Sequence, residues 1–361
     1  MSAARSGQVR SGQGAIHGVA ARWYDVGVTA GVGATSGPLA DAQGRRITYL
    51  RLSLTDRCNF RCSYCAPAGP DRSGEPLTRG ELARVVRIFA AAGVRRVRLT
   101  GGEPTLRRDL LDVVRDVRAA PGVEEVALTT NGHALGTLAV PLRAAGVSRL
   151  NVSLDTLDPE RLHRIAGPAA TLERIVAGIG AALHAGFDSV KVNVVVVRGE
   201  NEGELGALTR FAWRLGATPR FIELMPFGEA GRPVPTVEVK ALLAAQGIAL
   251  EPDATRGWGP AHHMRGTSRE GAEQLAGLVG FIGAMTESFC DGCNRVRVGA
   301  DGALRACLGG RERLPLAELL RSGASDGEVT ERIRAALAAK RDRHHMDDEA
   351  DQLLPMIGTG G

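Results

Sequence analysis

Apolar residues recur along the chain as short runs, separated by longer stretches with helical spacing. Six runs predict β-strands, over residues 47–55, 94–100, 125–131, 148–155, 189–197 and 218–225. After the first run, Thr78 and Glu81 form a capping-box pair ahead of apolar residues that recur at helical spacing. Strands that alternate with helices favour parallel pairing. The pattern predicts an α/β fold of six βα units, an incomplete (βα)6 barrel of the TIM type.

Several of the predicted strands alternate apolar and polar residues. Parallel strands are normally buried on both faces, so they form continuous apolar runs. In the first strand, Leu50 and Leu52 alternate with Arg51, and the same pattern places four cations on one face: Arg51, Arg96, Arg98 and Lys191. A barrel with this inner face suits an anion such as a phosphorylated ligand. An antiparallel sheet with one solvated face would give the same alternation.

Length and composition are those of a large globular chain. Its 361 residues are 44% apolar and 24% charged, which is enough material for one large domain or two smaller ones. We expect a soluble, cytoplasmic protein, because no apolar run approaches the roughly 20 residues of a membrane span and no secretory signal begins the chain. The 45 basic and 40 acidic residues give a net charge of +5. This excess is typical of a solvated surface and predicts no nucleic-acid arm.

The organisation along the chain predicts four regions. They are a flexible extension over 1–42, the barrel over 43–258, a C-terminal cluster-binding extension over 259–345 and a tail over 346–361. In the third region short strands replace the regular βα rhythm, and Asp301–Gly302 is a hairpin signal. His344, His345, Asp347 and Asp348 form a group that could bind a metal, but we interpret it as a solvated helix end.

All six cysteines fall into two groups of three. The first triplet is Cys58, Cys62 and Cys65, and the second triplet is Cys290, Cys293 and Cys307. A cluster of four irons can be held by three thiolates with one iron left open, whereas a structural zinc site usually takes four protein ligands. At the second triplet, His262 or His263 could supply that fourth ligand.

The motifs around the cysteines carry a resemblance to a known family. The first triplet, with Tyr64 before its last cysteine and Gly-Gly-Glu-Pro at 101–104, resembles the radical S-adenosylmethionine superfamily. Longer matches resemble the GTP 3′,8-cyclases of molybdenum cofactor biosynthesis within it, over 50–62, 98–107, 151–155, 220–226 and 293–297. The resemblance covers about residues 41–361.

The resemblance implies two [4Fe-4S] clusters, one on each cysteine triplet, and S-adenosylmethionine. It implies that Tyr64, Gly102, Ser153 and Met225 contact S-adenosylmethionine. It implies that GTP is held by Arg51, Arg96, Arg98, Thr129, Lys191, Arg220, Arg295, Val296 and Arg297. No catalytic side chain is assigned, because cofactors carry the radical chemistry.

The implied activity is a lyase reaction, the radical cyclisation of GTP to (8S)-3′,8-cyclo-7,8-dihydroguanosine 5′-triphosphate. This is the first step of molybdenum cofactor (molybdopterin) biosynthesis. The implied partners are GTP, a reducing electron donor such as a flavodoxin or ferredoxin, and the downstream cyclic pyranopterin monophosphate synthase. No nucleic acid or membrane is expected, and a homodimer is left open as the oligomeric state.

Two other functions are weighed against this one. A radical enzyme that modifies peptides would also carry an auxiliary cluster. A zinc-stabilised nucleic-acid-binding protein would use both triplets for zinc. The family's double-glycine tail has an altered counterpart here, Ile-Gly-Thr-Gly-Gly at 357–361, which leaves open how this tail reaches the active site.

Overall fold

The structure is a computed structural model that describes residues 37–65, 75–227, 231–254, 259–310, 312–346 and 356. Its strands are β1 (Tyr49–Ser53), β2 (Arg96–Thr100), β3 (Glu125–Thr130), β4 (Arg149–Ser153), β5 (Ser189–Val196), β6 (Thr218–Glu223), β7 (Ile248–Pro252), β8 (His262–Glu270), β9 (Glu273–Ile282), β10 (Arg295–Val298), β11 (Ala303–Arg305) and β12 (Leu314–Pro315). Its helices are α1 (Arg79–Ala91), α2 (Leu110–Ala119), α3 (Leu135–Ala145), α4 (Pro159–Ala166), α5 (Leu172–His184), α6 (Leu205–Leu215), α7 (Thr236–Ala245), α8 (Leu316–Arg321) and α9 (Asp326–Ala338).

Strands β1 to β6 are the six strands that the sequence predicts, and they pair in consecutive order, each parallel to the next. The predicted capping box begins α1: the Thr78 hydroxyl accepts the N–H of Glu81 at 3.2 Å, and the Glu81 carboxylate accepts the N–H of Thr78 at 2.7 Å. The parallel pairing excludes the antiparallel alternative for these six strands.

Strands from the C-terminal region extend this sheet at both ends. β10 pairs parallel with β1, and β9 pairs parallel with β6, so eight neighbouring strands are parallel. β11 and β12 then add antiparallel at one end, and β8 and β7 add at the other. The sheet is open, which confirms an incomplete barrel. Its two parallel additions were not predicted, because they depend on pairing between residues far apart in the chain.

The two faces of the parallel strands differ as the alternation predicts. Leu50, Leu52, Val97 and Leu99 are buried in the hydrophobic core, into which α1 and α2 also direct apolar side chains. The opposite face carries the charged residues of the same strands. One face of the sheet therefore stabilises the fold, and the other is left for the site.

The expected flexible extension over 1–42 is wrong for residues 37–42. Leu39 is fully buried and its N–H donates to the Ala92 carbonyl at 2.9 Å, while Asp41 is also buried. Residues 1–36 and the predicted Gly-Gly tail at 357–361 lie outside the described residues. Within the described part of the chain, no helix is long and apolar enough to span a bilayer.

Candidate active site

One cavity lies along the polar face of the sheet. The predicted substrate residues that line it are Arg51, Arg96, Arg98, Thr129, Lys191, Arg220, Arg295 and Arg297, and all three cysteines of the second triplet line it too. Val296 does not: its side chain is fully buried in the core on the other face, so only its backbone could meet a ligand.

The cavity is strongly cationic. Register brings Arg51 beside Arg98 on one side and Arg297 on the other. Burial and repulsion by neighbouring cations lower the pKa of Lys191 to about 8 and that of Arg220 to about 9. The same two causes lower the pKa of Arg51 and bring that of Arg297 to about 10. Like charges buried together are costly, so this arrangement favours a bound polyanion.

Neutral side chains orient two of these cations. The Arg220 guanidinium donates twice to the Asn193 amide oxygen, at 2.9 and 2.7 Å. Arg98 donates to the Tyr49 hydroxyl and, at 3.2 Å, to the Thr129 hydroxyl. These neutral partners fix the direction of each guanidinium group without cancelling its positive charge.

Arg96 differs from Arg98 and Arg220 because it shares an acidic partner with Arg149. Glu125 lies 3.9 Å from Arg96 and 2.6 Å from Arg149. Among the described residues that line the cavity, Glu125 is the one acidic side chain. Arg96 therefore contributes less uncompensated charge than the alternation alone suggests.

The two cysteine triplets lie at opposite ends of the parallel strands. The first triplet follows β1, whereas Cys290 and Cys293 precede β10, which runs parallel to β1. A five-residue strand such as β1, which runs between these two ends, spans roughly 13 Å. The cavity reaches from Met225, which follows β6, to the amino ends of the strands, where Tyr49 and Arg96 begin β1 and β2.

Arg295 contacts the second triplet directly. Its guanidinium lies 4.5 Å from the Phe289 ring centroid and donates to Cys293 Sγ at 3.6 Å. Burial raises the pKa of the Cys293 thiol, but the charges of Arg295 and Lys340 outweigh it and lower the value to about 7. Cys293 is thereby biased towards the thiolate, the form that binds metals.

The first triplet lies on a loop held by the end of α4. The N–H groups of Arg61 and Ser63 donate to the carbonyls of Ala166 and Ile165 at 2.8 and 2.9 Å. Burial raises the pKa of the Cys62 thiol well above its usual value and that of Cys65 to about 12. Burial therefore disfavours the thiolate form of both cysteines.

Tyr64 is fixed by the carboxylate that follows β4. Its hydroxyl donates to Asp155 Oδ2 at 2.7 Å, and the Val195 N–H donates to Asp155 Oδ1 at 2.8 Å. Burial raises the pKa of Asp155 to about 6 despite both donors. Asp155 ties the first triplet to β5, a role the sequence motif did not reveal.

The Gly-Gly-Glu segment after β2 packs on the start of the cysteine loop. A Cβ on Gly102 would lie 2.4 Å from the Arg57 carbonyl oxygen, so only glycine fits there. The buried Glu103 carboxylate accepts from the Thr130 hydroxyl at 2.8 Å and the Asn131 N–H at 2.7 Å. Gly102 and Glu103 therefore hold the ends of neighbouring strands together.

Comparisons with known proteins find two family profiles along the chain. A family profile described as the radical SAM superfamily matches residues 52–212, and one described as Molybdenum Cofactor Synthesis C matches residues 217–346. A GTP 3′,8-cyclase of Pelotomaculum thermopropionicum is 44% identical over 332 residues, covering 90% of this chain and 100% of the relative. The chain belongs to the GTP 3′,8-cyclase family.

Two further matches accompany it. A GTP 3′,8-cyclase of Heliobacterium modesticaldum is 42% identical over 339 residues, covering 89% of this chain and 100% of the relative. Among solved structures, Streptococcus suis SuiB overlaps 55% of this chain and 45% of its own, with a TM-score of 0.47 at 18% identity.

Membership of the radical SAM superfamily implies S-adenosylmethionine and one [4Fe-4S] cluster. The first triplet fits such a cluster: Cys62 interacts electrostatically with both Cys58 and Cys65, so the three thiols are neighbours on one loop. Among the described residues, no three His, Cys, Asp or Glu side chains are arranged to hold a single metal ion. A four-iron cluster needs no such convergence, because each thiolate binds its own iron.

Of the four residues expected to contact S-adenosylmethionine, Met225 also lines the cationic cavity. Tyr64 and Gly102 lie beside the first triplet, and Ser153 ends β4 next to Asn193 of β5. Among the described residues that line the cavity, Met225 is thus the one expected contact of S-adenosylmethionine.

The interpretation of one histidine changes. His344 is buried and lines the cavity, so it is not a solvated helix end, and α9 ends before it. His263 lies in β8, where burial and the charge of Lys191 lower its pKa to about 4. The strand alternation could have assigned Tyr49 and Asn193 to the site, since both lie on the polar face.

Proposed function

We propose that this chain is a lyase that cyclises GTP to (8S)-3′,8-cyclo-7,8-dihydroguanosine 5′-triphosphate, the first step of molybdenum cofactor biosynthesis. The observation that carries the proposal is one cavity shared by a buried cluster of cations and the second cysteine triplet. A nucleoside triphosphate has an end suited to each: a polyanion for the cations and a base for an open iron.

The cations would hold the triphosphate. Burial and the charges of Arg220 and Arg98 lower the pKa of Lys191, and burial and the charge of Arg98 lower that of Arg220; phosphate oxygens would offset this repulsion. Arg51 pairs in register with Arg98 on one side and with Arg297 on the other. We call the five residues Arg51, Arg98, Lys191, Arg220 and Arg297 the cation row. Binding energy is then gained by relieving an unfavourable arrangement that the fold already contains.

The first triplet would hold the cluster that binds S-adenosylmethionine, with Tyr64, Gly102, Ser153 and Met225 as contacts. That cluster and S-adenosylmethionine would supply the radical chemistry that acts at the ribose 3′ carbon of GTP. The chain's own work is positional: Asp155 fixes Tyr64, and the cation row fixes the triphosphate. Fixing both reactants is the main contribution a protein makes to such chemistry.

The second triplet would hold a second [4Fe-4S] cluster, and the iron left without a cysteine ligand would be available to the guanine base. Arg295 would then serve this cluster as much as the nucleotide, because its guanidinium lies at Cys293 Sγ. Holding GTP at both ends restricts the ribose to one place. The buried surroundings of Arg51 and Arg220 would also keep water from the reacting atoms.

The other parts of this proposal rest on the family resemblance. They are a reducing donor such as a flavodoxin or ferredoxin, a downstream cyclic pyranopterin monophosphate synthase, a cytoplasmic location and a division near residue 258. A homodimer is compatible with the proposal but is not required by it.

The test is anaerobic reconstitution with iron and sulfide, followed by incubation with reductant, S-adenosylmethionine and GTP. We expect 5′-deoxyadenosine to form together with loss of GTP and appearance of the cyclised nucleotide. Arg297→Ala should keep the iron content but lower GTP turnover by about 10- to 100-fold, the loss of one charge-assisted interaction. Arg143→Ala, which removes an exposed guanidinium paired with Asp188, is the matched control and should turn over GTP normally.

Three outcomes would contradict the proposal. A colourless protein that retains zinc after anaerobic purification would favour the zinc-stabilised alternative. Formation of 5′-deoxyadenosine without consumption of GTP would assign another substrate, such as a peptide. Normal turnover in Arg297→Ala would contradict the role of the cation row.

A further inference from the structure

A buried charged network lies behind the second cysteine triplet, on residues that neither the sequence motifs nor the cavity include. Its members are Asp41 and Arg45, which precede β1, and Lys340, which follows α9. Asp41 and Lys340 have side chains that are 0% and 2% exposed. A charged pair buried this completely carries a desolvation cost, which the contacts of the pair must offset.

The lysine contacts the second triplet itself. Lys340 Nζ lies 3.6 Å from Cys293 Sγ and donates to the carbonyls of Cys293 and Arg295 at 3.4 and 3.0 Å. Asp41 Oδ2 lies 3.7 Å from the same nitrogen. Cys293 Sγ thus faces two cationic donors, because the guanidinium of Arg295 reaches it from another direction.

The arginine holds the other end of the same loop. Arg45 donates from Nε to Asp41 Oδ2 at 2.7 Å and from Nη1 to the Cys290 carbonyl at 2.8 Å. It also donates to the carbonyls of Arg341 and Asp342. Asp41 therefore joins two cations, one at each of the two cysteines in the loop.

We infer that Lys340, balanced by Asp41, positions Cys293 and makes a cluster on the second triplet easier to reduce. This inference rests on the proposed function, because it requires that the second triplet holds a [4Fe-4S] cluster. Donors and positive charge near a ligating sulfur stabilise the reduced, more negative state of a cluster. Lys340 is a positioning residue in this scheme and contacts no reacting atom.

The sign of the charges gives a test that a merely structural role would not pass. Lys340→Met removes the positive charge, so the midpoint potential of the second cluster should fall. Asp41→Asn removes the opposing negative charge, so the potential should rise. Lys340→Arg keeps the charge and should keep the potential near that of the parent. A network that only holds the loop in place would not give opposite shifts.

The experiment uses full-length protein in which Cys58, Cys62 and Cys65 are replaced by Ala, so that any cluster belongs to the second triplet. Its potential is measured by redox titration followed by electron paramagnetic resonance. Lys240→Met is the matched control: Lys240 pairs with Glu287 at 2.7 Å outside this network, and its replacement should leave the potential unchanged.

The outcomes separate the inference from the proposed function. If the triple-Ala protein takes up no iron and sulfide, the second cluster is wrong, and the inference fails with it. If it holds a cluster whose potential is the same in Lys340→Met and Asp41→Asn, or shifts in the same direction in both, only the inference is wrong. If Lys340→Met does not fold, Lys340→Arg and Asp41→Asn still test the inference. An unchanged midpoint potential in Asp41→Asn would overturn the inference.

Discussion

Lys191→Met should make the fold more stable while it weakens GTP binding. Lys191 is the cation for which the cost of the cavity can be worked out, because burial and the charge of Arg220 lower its pKa from 10.5 to about 8. Each tenfold change in the acid dissociation constant corresponds to about 1.36 kcal/mol, so the charged lysine destabilises the fold by about 3 kcal/mol. Methionine has a similar length and carries no charge.

The pH dependence follows from the direction of this shift. Below about pH 8 the lysine is protonated in both the folded and the unfolded chain, so the whole cost is present. Between about pH 8 and 10.5 the folded chain loses the proton first, and the cost disappears as pH rises. The stability gained by Lys191→Met should therefore be largest at pH 7.5 and should shrink by pH 9.5.

The assay is thermal unfolding of the reconstituted protein with and without GTP. At pH 7.5 we expect Lys191→Met to raise the midpoint by up to about 5 °C, and GTP to raise the midpoint of the parent more than that of the variant. Lys240→Met removes a lysine that pairs with Glu287 and should not stabilise the protein. A lower midpoint in Lys191→Met, or an equal response to GTP, would refute the reasoning.

Two further changes probe the strand ends around the first triplet. Gly102→Ala places a Cβ 2.4 Å from the Arg57 carbonyl, so it should lower iron bound at that triplet, whereas Gly136→Ala, with open space around it, should not; equal iron content in both would contradict the packing argument. Glu103→Gln exchanges an acceptor for a donor within a buried set of donors and should cost about 1–3 kcal/mol of unfolding free energy. The exposed Glu124→Gln is its control, and equal unfolding midpoints for the two variants would show that the hydrogen bonds to the Glu103 carboxylate are dispensable.

The cation row explains why one face of a parallel sheet departs from the apolar rule. Core packing on the Leu50 and Leu52 face stabilises the sheet, so the opposite face is free to carry charges that destabilise it. A site that binds a polyanion tightly must keep its cations poorly compensated before the ligand arrives. The low pKa of Lys191 is the measure of that compromise.

The sequence determined the six parallel strands, the start of α1 and the residues on each face. These features follow from local periodicity and capping chemistry, which act between residues close in the chain. The alternation of apolar and charged residues around Arg51 identified the cationic face from the sequence alone. The two triplets were also evident, because their spacing is a local property of each loop.

Only the tertiary structure decided how distant segments meet. It placed β10 beside β1, which puts the second triplet at the opposite strand end from the first and brings Arg297 next to Arg51. It turned Val296 into the core and Arg295 towards Cys293. Pairing across such separations depends on the register of whole strands, which no local pattern encodes.

The network of Asp41, Arg45 and Lys340 shows the same limit most clearly. In the sequence, Asp41 falls within a segment that composition assigns to a flexible extension, and Lys340 follows a charged helix. Buried at Cys293, they become partners of the site. Local composition reports which residues are present, whereas burial and the proximity of opposite charges arise only when the chain has folded.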